Sequence, residues 1–418
     1  MRFPIPVIPC RRVLSQFDGI VMNLVLCSDI EVWKNVHGRG GVAVHIYELS
    51  RALTKFGNAV TILQPSKSSW KQDIENNLTI IGIPHSAFKG LGTLNYSLGL
   101  YKKLQTLIGQ NFVDAIQFHN LTGLMTYLHM KNLPIPIWTK CHGVRDIYIK
   151  SLGLDGSLKI ASFIYDSVVT ENVSKLCYRL SPYIIANSRS TMENLVRYYN
   201  ISPQRISVVY NGVNHKLFNP KIDGETIKNK LRIGGLKVVL YVGDFSLLKG
   251  VYHLILSFKR VIKNMSNACL LMVGGYREDS YVKLRDLISQ TGLGKHVKII
   301  GFVPYPELPN YYAAADLCVV PSLCEPFGNV ALETIASGKP LIASRTGGLA
   351  EILNTEAGML VNLGDINLLS RSIIALLKNE DLRVEMGRRA YEHSLNFSWE
   401  KTARETLYHA LHSARYVD

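Results

Sequence analysis

No stretch of this chain approaches the roughly 18 consecutive apolar residues that a membrane-spanning helix requires. Its first residues, up to Phe17, carry Pro4, Pro6 and Pro9 and then Arg11 and Arg12, a poor apolar region for a secretory signal. Cysteine is scarce and odd in number, 7 in 418 residues. With no Cys-x-x-Cys pair among them, a disulfide framework and a zinc or redox motif are excluded, and Cys27, Cys269 and Cys318 read as core thiols. Lys/Arg runs of five or more, aromatic-interleaved basic strips and zinc-finger or RNA-binding signatures are all missing, which argues against nucleic acid as a partner. No Gly-x-Gly-x-x-Gly follows a strand, so a nicotinamide-dependent dehydrogenase ranks last among α/β enzymes.

What is present is a hydrophobic fraction of 47%, only 19% charged residues and a net charge of +15. That apolar fraction is too high for disorder, and the length suits two domains. The charge is uneven, roughly +10 up to about residue 212 and roughly +5 beyond it. A soluble, cytoplasmic protein is expected, with the basic excess suited to an anionic surface.

Apolar strands alternate with amphipathic helices throughout. Ile20 to Cys27 reads as a buried strand, Gly40 and Gly41 open a helix whose apolar positions are Val42, Ile46, Leu49 and Leu53, and Ala59 to Leu63 is the next strand. Further strands are predicted at Ala115 to Phe118, Ile135 to Thr139, Tyr183 to Ala186 and Ile206 to Val209. After the turn residues Asn211-Gly212 they resume at Val238 to Val242, Ala268 to Val273, Val297 to Ile300, Leu317 to Val320 and Leu341 to Ala343. Such alternation predicts two doubly wound, mostly parallel α/β domains facing each other across a cleft. The expected organisation is an extension over residues 1–21, a first domain over 22–212, a second over 213–395, and a C-terminal helix within 396–418 that packs on either domain.

Ligands bind beyond the carboxyl ends of strands in such sheets. There lies the segment Glu325-Pro326-Phe327-Gly328-Asn329-Val330-Ala331-Leu332-Glu333, after the strand ending near Val320 and leading into a helix from Asn329 to Gly338. Glu325 falls in the loop and Glu333 about one turn into the helix, so the two carboxylates can hold hydroxyls at two points of an elongated ligand. The free N–H groups of the helix start favour an anion between them.

This segment resembles the E-x7-E motif of retaining glycosyltransferase family 4, whose fold is GT-B. The resemblance runs from Met22 onward through Gly40-Gly41-Val42-Ala43-Val44-His45, Cys141-His142-Gly143, Ile185-Ala186-Asn187-Ser188, Val209-Tyr210-Asn211-Gly212-Val213, Gly301-Phe302-Val303-Pro304 and Gly347-Gly348 with Glu351. It implies a second domain that binds a nucleotide-diphosphate sugar, a first domain that binds the acceptor, and retention of configuration. Glu333 would accept the ribose hydroxyls, Glu325 the transferred sugar, and the amides around Phe327, Gly328 and Asn329 the sugar and phosphate oxygens, with Val330 beside them. Val303 would lie near the base, and Gly40 and Gly41 would let the backbone approach the phosphates. His142 would approach the transferred sugar, with His45 and His119 as further cleft residues.

Departure of a nucleoside diphosphate develops negative charge that must be neutralised. No Asp-x-Asp motif offers to hold a metal for that purpose, so no metal and no cofactor is expected; a protein cation should serve, and Lys249 matches the family lysine. Family members commonly carry Arg five residues earlier, where this chain has Asp244. Asp244 turns away, pairs with Lys249, or is replaced in function by another cation such as Arg345; otherwise catalysis is weaker than usual. The expected activity is therefore a metal-independent transfer of a hexose to a saccharide or lipid-linked acceptor. The alternative is a nucleotide-sugar-binding GT-B protein with little or no transfer, and a GT-B phosphorylase or epimerase ranks below it. Acceptor contacts are expected in Glu31 to Arg39 and Lys150 to Lys175. The expected partners are the nucleotide sugar, the acceptor and an anionic membrane surface, with no nucleic acid.

Overall fold

A computed structural model describes residues 21–32, 40–84, 92–129, 135–144, 171–275, 278–353 and 356–413. The 1–21 extension, save its last residue, and most of the two expected acceptor segments lie outside these residues.

The first sheet has eight strands, β1 (Asn23–Cys27), β2 (Ala59–Ser66), β3 (Trp70–Glu75), β4 (Leu78–Pro84), β5 (Ala115–His119), β6 (Ile137–Cys141), β7 (Ile184–Ala186) and β8 (Ile206–Val208), in the order β3-β4-β2-β1-β5-β6-β7-β8. The second has six, β9 (Lys237–Val242), β10 (Ala268–Val273), β11 (Val297–Gly301), β12 (Leu317–Val320), β13 (Leu341–Ser344) and β14 (Gly358–Val361), in the order β11-β10-β9-β12-β13-β14. All ladders are parallel except β3 with β4. Strands such as β10, buried at every position, are covered on both faces and read as unbroken apolar runs.

The β3–β4 hairpin and the short β14 depart from the expected strand set. The hairpin turns at Asn76-Asn77, where Asn77 takes φ 65°. β3 lies at the sheet's edge, and Lys71, Asp73 and Glu75 along it give it a solvated character that hides it from hydropathy and protects an open edge. β6 also starts two residues later than expected, because Ile135 and Pro136 precede the ladder.

Helices that matter for the site are α1 (Gly41–Thr54), α2 (Arg189–Tyr199), α3 (Val251–Asn264), α4 (Asn329–Ala336), α5 (Leu349–Ile352) and α6 (Trp399–Ser413). α6 returns to the first sheet: Trp399 and Ala403 are buried with Met22, Leu24 and Ile46, and Lys55 on α1's end pairs with Glu400 at 2.6 Å. Gly212 makes the crossing possible, since a Cβ there would overlap the backbone of Ser398 and Trp399. Among the described residues no helix is long and apolar enough to cross a membrane.

Candidate active site

β9 ends at Val242 and the chain makes one 3₁₀ turn, Leu247–Lys249, before α3. Gly250 takes φ 68°, and a Cβ there would overlap the Pro321 carbonyl oxygen, so glycine lets the turn sit directly on the end of β12. The Leu323 N–H donates to Leu248 O at 2.7 Å across the same contact. Lys249 is thereby brought to Glu325: its Nζ donates to Oε2 at 2.7 Å, and Ser322 Oγ donates to that oxygen at 3.2 Å. Burial alone would lower the Lys249 pKa, but the Glu325 carboxylate outweighs it and holds it raised. Lys249 thus stands at a helix start, in the 3₁₀ turn just ahead of α3.

Asp244 does not pair with this lysine as a direct partner. It is exposed, and its carboxylate accepts the Ser246 N–H at 2.9 Å, closing the turn. Arg345, the other candidate cation, lies apart from the Lys249 turn. It lines a cavity with Met359, Leu360, Val361, Leu368 and Ser372 along the edge strand β14, on the far side of β13 from β9.

The segment after Glu325 is held from behind by the Gly347-Gly348 pair. A Cβ on Gly347, at φ 47°, would overlap Glu325 O, and the Gly348 N–H donates to that oxygen at 3.1 Å. Phe327 is buried in the second domain's core and stacks on Tyr210 with centroids 6.0 Å apart. Gly328 takes φ 111°, and α4 begins at Asn329 without a side-chain cap. The N–H groups of Phe327, Gly328, Asn329 and Val330 meet no protein acceptor among the described residues, which leaves an anion-accepting helix start. Facing it, α1 begins at Gly41, also uncapped, and Gly40 takes φ 131°. Asn329 joins the two starts: its Nδ2 donates to Gly41 O at 3.3 Å and its Oδ1 accepts from Asn211 at 2.9 Å.

Glu333 is buried, on the inner face of α4, and accepts the Tyr312 hydroxyl at 2.7 Å. Burial raises its pKa to about 7, with the Tyr312 bond opposing. Val303 follows β11 and is buried in the same apolar cluster.

On the first domain, His142 ends the β6 segment and stands beside His119 and His45. His119 Nδ1 and His142 Nε2 are 2.9 Å apart, and the His45 ring centroid is 4.7 Å from that of His142. Burial, then neighbouring Lys140, pushes the His142 pKa down to about 3, and His119 and His45 are also well lowered, chiefly by burial. Burial thus favours the neutral form of all three rings. Lys140 is itself buried, its pKa lowered by burial to about 7, with Nζ donating to Val209 O at 2.7 Å.

Two groups carry weight that the sequence reading did not give them. Glu351, one turn into the segment after β13, accepts the N–H groups of Arg189 and Ser190, both at 2.8 Å, and the Tyr210 hydroxyl at 2.9 Å. Ser188 Oγ donates to Pro326 O at 2.6 Å beside it. The start of α2 in one domain is therefore capped by a carboxylate of the other, next to the Glu325 loop. Gln117 is the second, buried between Trp138 and His119. An alternating strand Ala-Ile-Gln-Phe-His with two polar residues on one face was the available signal for it.

A family model described as Glycosyltransferase Family 4 matches residues 39–217, and one described as Glycosyl transferases group 1 matches 223–393. The chain is 30% identical over 387 residues to a D-inositol 3-phosphate glycosyltransferase of Corynebacterium efficiens, spanning 88% of this chain and 89% of that one. It is 26% identical over 383 residues to an uncharacterized glycosyltransferase of Methanocaldococcus jannaschii, covering 88% and 93%. Its fold is similar to sucrose-phosphate synthase from Thermosynechococcus elongatus (TM-score 0.77, 22% identity, 94% and 99% covered). It is similar also to HepE of Anabaena in complex with UDP and glucose (TM-score 0.72, 18% identity, 92% and 98% covered). The two domains are those of the GT-B fold, and the chain belongs to glycosyltransferase family 4, the glycosyl transferases of group 1.

Proposed function

We propose that this glycosyltransferase moves a hexose from a nucleotide-diphosphate sugar to a saccharide or lipid-linked acceptor, with retention of configuration and without a metal ion. The observation that carries the reading is the Lys249–Glu325 contact at 2.7 Å, beside the uncapped start of α4 and opposite that of α1. A diphosphate entering between two helix starts meets free N–H groups and one cation, which is what a departing nucleoside diphosphate needs. Glu325 then accepts hydroxyls of the transferred sugar in place of the Lys249 ammonium, and Lys249 turns to a phosphate oxygen. Glu333 with Tyr312 takes the ribose, and Val303 offers its main chain to the base.

In the transfer step the bond from the anomeric carbon to the phosphate oxygen breaks and the acceptor oxygen bonds to that carbon on the same face. The acceptor's hydroxyl proton passes to the departing phosphate oxygen. Metal independence rests on Lys249 and the two helix starts meeting the charge of the diphosphate; among the described residues the three imidazoles, with ring nitrogens within 4.8 Å of one another, are the group that could hold a metal ion, and chelation tests whether transfer needs one. HepE's complexes with UDP and UDP-glucose make uridine diphosphate sugars the first to try.

The acceptor belongs to the first domain. The curated relative's name gives it a phosphorylated polyol, and a basic first domain suits an anionic acceptor or one carried on an anionic membrane, reached from the cytoplasmic side. Sedimentation with anionic liposomes at low salt tests the membrane contact; no binding would remove it. Asp244, exposed next to the Lys249 turn, favours the second reading, binding with little transfer. A thermal-shift panel of nucleotide sugars, followed by a transfer assay with chelator present, separates the two. A donor that stabilises the protein but is neither transferred nor hydrolysed would overturn the first.

A further inference from the structure

β5 and β6 run side by side in parallel, with Gln117 in register with Trp138 and His119 with Lys140. Gln117 and His119 are two residues apart on one strand and share a face, and His142 follows the end of the neighbouring strand. Three contacts link them in sequence: Trp138 Nε1 to Gln117 Oε1 at 2.8 Å, Gln117 Nε2 to His119 Nε2 at 2.9 Å, and His119 Nδ1 to His142 Nε2 at 2.9 Å. Trp138, Gln117 and His119 are fully or almost fully buried, so none can trade these bonds for water.

The direction of every hydrogen in this chain follows from its first member. An indole N–H can only donate, so the Gln117 oxygen accepts and its Nε2 must face His119 as a donor. His119 Nε2 therefore carries a lone pair. Burial keeps His119 neutral, so its single ring proton sits on Nδ1 and is donated to His142. His142 Nε2 is then the acceptor, and the proton of this second neutral ring sits on Nδ1. Among the described residues no group bonds that Nδ1, and His142 is the partly exposed end of the series.

We infer that Gln117 and His119 are positioning residues that fix His142 in its Nδ1–H tautomer, so that the ring presents a hydrogen-bond donor to the oxygen atoms of the bound sugar. The use of that donor rests on the transfer reading above; the tautomer itself does not. A histidine free to choose would present a lone pair part of the time and bind the same oxygen less well. Trp138, buried in the first domain's core, thus acts through two side chains to set the polarity of the last one.

Nitrogen-15 spectra of histidine-labelled full-length protein at pH 7.5, with His142 assigned by its loss in His142→Gln, test this without substrate. The wild-type ring is expected to show a protonated Nδ1 and an unprotonated Nε2. A protonated Nε2, or an imidazolium, would overturn the inference, as would a zinc ion retained in stoichiometric amount by the three imidazoles. Gln117→Met keeps the side chain's length but removes both its polar atoms, so His119 loses its bias and the His142 nitrogens should move towards averaged shifts. In that variant kcat should fall about 10-fold with the donor's KM little changed, while circular dichroism reports the fold. Unchanged nitrogen shifts in folded Gln117→Met would refute the role given to Gln117. Should that variant not fold, the wild-type spectrum still decides. A wild-type spectrum as expected in a protein that transfers no sugar would leave the tautomer standing and sink only its use.

Discussion

Lys249 and Glu325, the cation and the carboxylate proposed to act on the donor, are bonded to each other at 2.7 Å. Each is mostly buried, with side-chain exposures of 27% and 14%, so neither is satisfied by water alone. A bound donor must give both what they give each other: phosphate for the ammonium, sugar hydroxyls for the carboxylate. Lys249→Met should lower kcat by about 100- to 1,000-fold. It should also cost about 1–3 kcal/mol of stability by leaving Glu325 unpaired, less than for a fully buried pair because solvent screens part of it. Steady-state kinetics and urea unfolding measure the two; an unchanged kcat would remove Lys249 from the chemistry.

Glu351 ties the first domain to the second through three hydrogen bonds, two from the start of α2 and one from the Tyr210 hydroxyl. Glu351→Ala should loosen the cleft, visible as a larger radius of gyration in small-angle X-ray scattering. With it kcat/KM should fall about 10-fold or more, since the Glu325 loop loses its register against the first domain. The same scattering profile in wild type and variant would show that the contact does not hold the domains.

Glu333 titrates near pH 7 because it is buried, despite the Tyr312 bond. Only the ionised form accepts hydrogen bonds with both oxygens, so nucleotide affinity should rise between pH 6 and 8 and Glu333→Gln should flatten that rise. The stability effect has the opposite sense. An acid whose folded pKa is raised binds more protons folded than unfolded, so its contribution to stability is complete below the unfolded pKa near 4.5 and is lost as pH rises through 7. Calorimetric titration across this range checks the binding, and a pH-independent affinity would contradict the role given to Glu333.

The Asp244 carboxylate is exposed and accepts the Ser246 N–H at 2.9 Å, while its main-chain oxygen accepts the Tyr241 hydroxyl at 2.5 Å, a bond that a side-chain substitution leaves in place. Asp244→Arg should therefore cost no more than about 1 kcal/mol as a lost turn cap and leave transfer intact or faster. A large loss of activity with the fold preserved would give Asp244 a positive part in the reaction.

The order of elements and the strand–loop–helix that carries Glu325 and Glu333 were legible because buried parallel strands write themselves as apolar runs and the helix is bounded by Asn329 and Gly338. The β3–β4 hairpin was not, because an edge strand facing water has no apolar run to read. Nor could spacing show that Lys249 sits on Glu325: that contact depends on Gly250 and Pro321 meeting across two strands. Gln117, and the part played by Glu351, which the resemblance names without a role, escaped for a related reason. Their importance lies in what faces them from 21 and about 160 residues away, and a single sequence shows no partners at such range.

The most direct test is a single-turnover reaction with the donor that most stabilises the protein, carried out with chelator present and followed by release of nucleoside diphosphate. Transfer to an acceptor or slow hydrolysis in wild type, abolished in Lys249→Met and Glu325→Ala while the donor still binds, is the predicted result. Bound donor recovered intact from the wild-type protein, or release that stops when metal is withdrawn, would contradict it.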